Sequence, residues 1–235
     1  SSYDREKAAP EEARKWLDAL RRADPGNALG DYLAARDHFK AGQPELAMQE
    51  LQAAAGKTEF QDYTLDFLQA SEEAYRAAGY AEAPAKWASM SNLLLPTLYE
   101  LKYLSVSAAD LAKQYQQAGD TASAQAVQQM GFGIGQRCYG PDQFPLLNTL
   151  VGMAIDKIML GTMDPNSSFP NSGNPNWTVQ NQLDALNQQR TEFKELVKKS
   201  DAVLPSMSDQ DLINYKDRTR MFGEPAAMRW AVEKY

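Results

Sequence analysis

His38 is the single histidine of this 235-residue chain and Cys138 its single cysteine. Any Ser-His-Asp or Cys-His device would have to run through His38, because activating a hydroxyl or thiol needs an imidazole within hydrogen-bond reach. His38 falls at a packing position inside a helical pattern, so packing is its expected role. Nothing in the sequence around Cys138 marks an activated thiol, and a small buried side chain is expected there. A lone cysteine also rules out an intrachain disulfide and a cysteine-based zinc cluster. Gly131, Gly133 and Gly135 stand at phosphate-loop-like spacing in QQMGFGIGQRCYG. No strand pattern precedes them and no Lys-Ser/Thr pair follows, so close helix packing or helix termination is the expectation. Glu11/Glu12 and Glu72/Glu73 are neighbours in sequence, and neighbours on a helix point in different directions. No calcium loop is present. The residue types therefore predict no catalytic residue, no metal site and no cofactor, and a protein that is not an enzyme.

Aromatic side chains carry more promise. Tyr139, Phe169 and Trp177 lie in or beside loop sequence. Exposed there, they would stack on a sugar or grip a peptide. Asn166 and Asn176 each begin a formal glycosylation sequon in the same Asn- and Ser-rich stretch.

The formal charge is −7, from 24 basic and 31 acidic residues. That balance excludes a phosphate-tracking surface and with it nucleic acid as a partner. No run is apolar enough to span a bilayer. The best attempt, Phe144 to Met163, is interrupted by Asn148, Asp156 and Lys157. The chain begins at Ser1 without Met, and the expectation is that the native N-terminus, with any export signal or anchor, lies outside it. An exported or periplasmic location would follow.

The elements that must position these groups read as helices throughout. Ala, Leu, Gln and Glu are frequent and β-branched residues sparse, so the chain is expected to be all-α. Residues 1–10 read as a disordered tail. A first helix, with Trp16, Leu17 and Leu20 as its apolar stripe, runs from Pro10 to Ala23 and stops at the turn Asp24-Pro25-Gly26. Leu29 to Ala41 and a partner opened by Pro44 form a helical hairpin around Gly42. Further helices are expected over Thr58–Ala78, Asn92–Leu104 and Asp142–Met163, the last the most apolar and central. Residues 164–176 are almost all turn formers and mark a loop and boundary. Helices then follow from Trp177 to Lys199, with a basic end at Lys194–Lys199, from Ser208 to Phe222, and from Glu224 onward.

The hairpin at Asn27–Ala55 is echoed. His38-x3-Gly42, Tyr75-x3-Gly79 and Tyr115-x3-Gly119 recur at intervals of about 40 residues. Ala35 and Ala47 occupy the small packing positions of the first copy, with Leu51 and Ala54 next to them; Ala112 and Ala124 do so in the third. The pattern resembles a divergent tetratricopeptide repeat, clearest at 27–55 and 108–131. Asp31 departs from it, falling where a large apolar residue is usual. Periodicity alone would turn Tyr32 and Phe39 inward instead, so two registers stay open.

The resemblance implies a TPR-like α-α superhelix of antiparallel hairpins over 11–163, with C-terminal helices at 177–235 packing on the same domain as a cap. It implies a non-enzymatic scaffold whose partner is a protein or peptide. Asp31, Arg36, Tyr75 and Gln114 are its candidate groove contacts. The alternative is an exported binding protein for carbohydrate or another small ligand, served by Tyr139, Phe169 and Trp177.

Overall fold

A computed structural model describes residues 2–139 and 145–235, with side chains from residue 11 onward except that of Asn171. The protein is all-α. Its helices are α1 (Ser2–Ala23), α2 (Leu29–Lys40), α3 (Pro44–Ala55), α4 (Thr64–Ala77), α5 (Glu82–Ser91), α6 (Pro96–Gln117), α7 (Thr121–Gln136), α8 (Leu146–Leu160), α9 (Val179–Val203), α10 (Asp209–Phe222) and α11 (Glu224–Lys234). Among the described residues, β pairing is limited to two isolated bridges, Asn27 with Glu59 and Ser168 with Thr178.

The three echoed glycines end three helices in one way. Gly42, Gly79 and Gly119 adopt φ of 68°, 92° and 78°, a left-handed conformation that a side chain would strain. The following residues, Gln43, Tyr80 and Asp120, donate their N–H groups to the carbonyls of His38, Tyr75 and Tyr115 at 2.9, 3.1 and 2.9 Å. The glycine N–H groups reach Phe39, Arg76 and Gln116 at 3.1, 3.0 and 3.0 Å. This is the Schellman closure of a helix C-terminus. It uses the backbone carbonyl of the His or Tyr position, so the echo reports three helix ends that turn back into α3, α5 and α7.

The chain divides into two compact units. The first comprises Ser1–Asp62 and Thr97–Gly133, the second Tyr63–Pro96 and Ile134–Tyr235. The interval 11–163, read as one repeat region, is thus shared between them. The 164–176 loop, read as a boundary, lies within the second unit.

In the first unit the α2–α3 contact is made by Ala35, Ala47 and Ala54, each 0% exposed. Small side chains let the two backbones approach closely, and Leu51 fills the space beside them. Tyr32 is buried as well, and Phe39 packs with Met48 against Ala108, Leu111, Ala112 and Val127. Both registers left open by the sequence are therefore occupied. A ring and a neighbouring alanine share one wide apolar stripe. The same contacts bring hairpin α2–α3 against hairpin α6–α7. In the second unit α4 pairs with α5, α10 packs on α5, and α11 on α9. Its core gathers Leu146, Met207, Tyr215, Ala227, Met228 and Ala231.

Several helix boundaries differ from the sequence reading. Residues 2–9, read as tail, continue α1. Trp16 is 70% exposed and does not join a core, although its neighbours Leu17 and Leu20 are half-buried. The helix expected from Thr58 starts at Thr64. Buried Asn27 holds the preceding backbone, accepting from the Gln61 N–H at 3.1 Å and donating to its carbonyl at 2.8 Å. Tyr63, at φ 58°, then interrupts any helical path. The predicted 92–104 helix and the first helix of the third copy are one 22-residue helix, α6. No Gly or Pro breaks the run after Pro96, which takes the first helical position. The start expected at Asp142 lies outside the described residues.

Candidate functional site

The helix that reads as most apolar, α8, organises the second unit, and its two sides are built differently. Its N-terminus is held by Glu224, whose Oε2 accepts the Leu146 N–H at 2.8 Å. A carboxylate there meets the positive end of the helix dipole. The connection to α9 is pinned by Phe169 N–H donating to the Trp177 carbonyl at 2.8 Å and by Trp177 Nε1–H donating to Gln182 Oε1 at 3.0 Å. Thr178 and Asn181 close a capping box at the start of α9.

On the side facing α7, the fit is tight. A Cβ added at Gly135 would stand 2.3 Å from Asp156 Oδ1, and one at Gly152 would stand 3.0 Å from Cys138 Cβ and from the Gly135 carbonyl oxygen. The Tyr139 hydroxyl donates to Asp156 Oδ2 at 2.7 Å, while buried Oδ1 accepts no hydrogen bond. Burial raises the Asp156 carboxyl to about 6, against the opposing pull of the Tyr139 hydrogen bond. Burial and the adjacent Asp156 charge push the Tyr139 phenol well above its usual range. A carboxyl near neutrality has the acidity of a general acid or base. Here the space where a substrate would stand is filled by glycine backbone and Cys138, so the pair packs and does not present itself.

On the side facing α9, a cleft of about 470 Å³ opens. Leu146, Leu150, Met153 and Ala154 of α8 line one wall, and Leu186, Phe193 and Val197 of α9 line the other. Leu146, Leu150, Met153 and Lys157 on one helix, and Leu186, Arg190, Phe193 and Val197 on the other, recur every three or four positions, so each helix turns one largely apolar face into the gap. Lys157, Arg190 and Lys194 stand at its edge, all exposed, and no carboxylate is among the described lining residues. Lys157 Nζ donates to Asn187 Oδ1 at 3.1 Å, linking the end of α8 to the middle of α9. The size and lining are those of a small-molecule site.

The residues nominated from sequence are divided between the two units. Arg36, Asp31 and Gln114 belong to the first unit, Tyr75 to the second. Asp31, expected to face a groove, is 1% exposed and paired with Arg21 at 3.1 Å and Lys57 at 2.5 Å. A carboxylate at that apolar position is tolerated because two cations reach it. Arg36 pairs with Glu100 at 3.3 Å and lies 5.7 Å from the Tyr103 ring centre. Tyr75 packs edge-on against Tyr80 and accepts from Asn92 at 3.2 Å; Gln114 is exposed. Tyr139, Phe169 and Trp177 are half-buried and bonded as above, so none is the open stacking platform that its loop position suggested. His38 is half-buried with Nδ1 3.0 Å from Gln43 Oε1, across its own helix turn. Cys138 is 1% exposed, its Sγ 3.8 Å from the Ile134 carbonyl. Gly131, Gly133 and Gly135 lie inside α7, and Gly135 makes the close contact expected of them.

Two features went unread. Asp156 and Lys157 registered only as interruptions of an apolar run, and Lys194 as part of a basic helix end. The available signal was spacing: Arg190 and Lys194 fall one turn apart, alternating with Leu186, Phe193 and Val197. A buried cation, Lys216, was also missed. It lies 4.2 Å from the Trp87 ring centre, and burial lowers it to about 8 against the pull of Glu224.

Comparison with protein-family models, with curated proteins and with solved structures returns no match. No group of three or more His, Cys, Asp or Glu side chains that could hold a metal ion occurs among the described residues. No helix among them is long and apolar enough to cross a membrane.

Proposed function

We propose that the protein is a non-enzymatic binding protein whose α8–α9 cleft holds the apolar part of a ligand. The observation that carries this reading is the cleft itself: two facing apolar stripes that leave about 470 Å³ unfilled in the second unit. An apolar cleft of this size with a few polar groups at its edge fits a small-molecule ligand. A carbohydrate is the poorer occupant, because Phe193 is the one aromatic ring among the described lining residues. Thermal unfolding with and without dodecanol tests the reading. The expected result is stabilisation of the wild type and none of Ala154→Trp, which fills the cleft. Equal response of both proteins, or of neither, would overturn it.

The tetratricopeptide-like scaffold is the second reading. It is supported by the packing of hairpin α2–α3 on hairpin α6–α7 through Phe39 and Met48 against Ala108, Leu111, Ala112 and Val127, and by the buried small positions Ala35 and Ala47 within the first hairpin. In that reading the chain forms a superhelix that binds a partner peptide, with Arg36 and Gln114 as contacts and the C-terminal helices as its cap. A pull-down that recovers a partner with wild type and loses it with Arg36→Ala plus Gln114→Ala would support it. Background alone at low and moderate salt would count against it.

A further inference from the structure

We infer that the α8–α9 cleft takes a single-chain amphiphile with an anionic head group. The chain lies along Leu146, Leu150 and Phe193, and the head lies by Lys157 and Arg190. This rests on the reading of the cleft as a ligand site and adds the ligand's polarity.

Three observations carry it. First, the cleft is long rather than round. Its α8 wall runs from Leu146 to Lys157, which at 1.5 Å per helical residue is about 16 Å. A slot of that shape suits an extended hydrocarbon chain. Second, its ends differ. Lys157 meets Asn187 at one end of the α8 wall, whereas Leu146 at the other shares a core cluster with Phe193 and Val197. The two helices therefore run antiparallel, and Lys157, Asn187 and Arg190 gather toward one end. Third, the charge at the mouth opposes that of the whole protein. The chain carries −7, yet three cations and no described carboxylate line this cleft. Lys157 is hydrogen-bonded to a neutral amide, so its charge stays available to an anion. A cationic or purely neutral ligand would leave these groups uncompensated once the mouth is covered.

Three dodecyl probes, each kept well below its micelle concentration, test the inference by calorimetry: dodecanoate, dodecanol and dodecyltrimethylammonium. Dodecanoate is expected to bind about tenfold or more tightly than dodecanol, as charge-assisted hydrogen bonds imply. The cationic probe is expected to bind most weakly. The triple variant Lys157→Ser, Arg190→Ser, Lys194→Ser removes exposed side chains and should fold normally by circular dichroism. It is expected to lose the dodecanoate preference and keep dodecanol affinity. Equal affinity of wild type for dodecanoate and dodecanol would overturn the anionic head while leaving the apolar site standing. Binding of no probe by folded protein would remove both. Dodecanoate binding that survives Ala154→Trp would place the ligand elsewhere and overturn the inference.

Discussion

The two sides of α8 are filled differently. Toward α7, Gly135 and Gly152 bring the helices so close that one added carbon would collide with Asp156, Cys138 or backbone. Toward α9, leucine, methionine and phenylalanine line both walls, and a cleft remains beside them. One helix thus shows that contact is set by the smallest residues at a crossing. Large apolar residues on both walls do not by themselves close an interface. The tight side buries an ionisable pair and excludes ligand. The open side keeps its cations at the surface.

Substitutions sharpen this contrast. The largest effect is expected from Gly152→Leu, which overpacks the tight side and should cost about 3 kcal/mol. Ala154→Leu, on the cleft side, should cost less than about 1 kcal/mol. Urea unfolding of the two variants checks this, and equal losses would erase the distinction between the sides.

A comparable effect is expected at Asp156. Its native carboxyl, raised to about 6, binds protons that the unfolded chain has already released. Its stabilising contribution is therefore complete below the unfolded value of 3.8 and is lost as pH rises through 6. Asp156→Asn should raise stability at about pH 8 by about 2–3 kcal/mol and flatten the profile between these values. An unchanged pH profile in the variant would show that the carboxylate is solvated.

Tyr139→Phe should cost about 1 kcal/mol by removing the hydrogen bond to Oδ2. It should also move the Asp156 midpoint upward, because the phenol favours the carboxylate form. Carboxyl chemical shifts followed through a pH titration measure that directly. The smallest effect belongs to Lys157→Gln on the open edge. It should change stability by no more than about 0.5 kcal/mol at any pH, since the side chain is exposed and tied only to Asn187.

Much of the helical framework was legible from residues alone. Gly42, Gly79 and Gly119 are local devices: the left-handed residue and its two hydrogen bonds lie within six residues, so sequence spacing suffices to find them. The alanines of α2 and α3 were legible for the same reason, since helical period places them on one face. Asp31 was not. Its burial depends on Arg21 and Lys57, which come from outside its helix, and no local pattern announces a distant counterion. The same holds for the start of α4, decided by an Asn27 side chain 34 residues from its partner Gln61. Tyr139 and Trp177 sit where sequence suggested, yet their side chains are tied to Asp156 and Gln182.

By itself, then, the sequence determined the helices and the glycine-capped turns that end three of them. Helical propensity and capping are satisfied by residues a few positions apart. Tertiary structure alone decided that Gly135 meets Asp156 and that a cleft stays open between the apolar stripes of α8 and α9. It also decided that Lys157, Arg190 and Lys194 line one cleft. Those outcomes follow from which side chains, distant in the chain, fill or fail to fill the space between two helices.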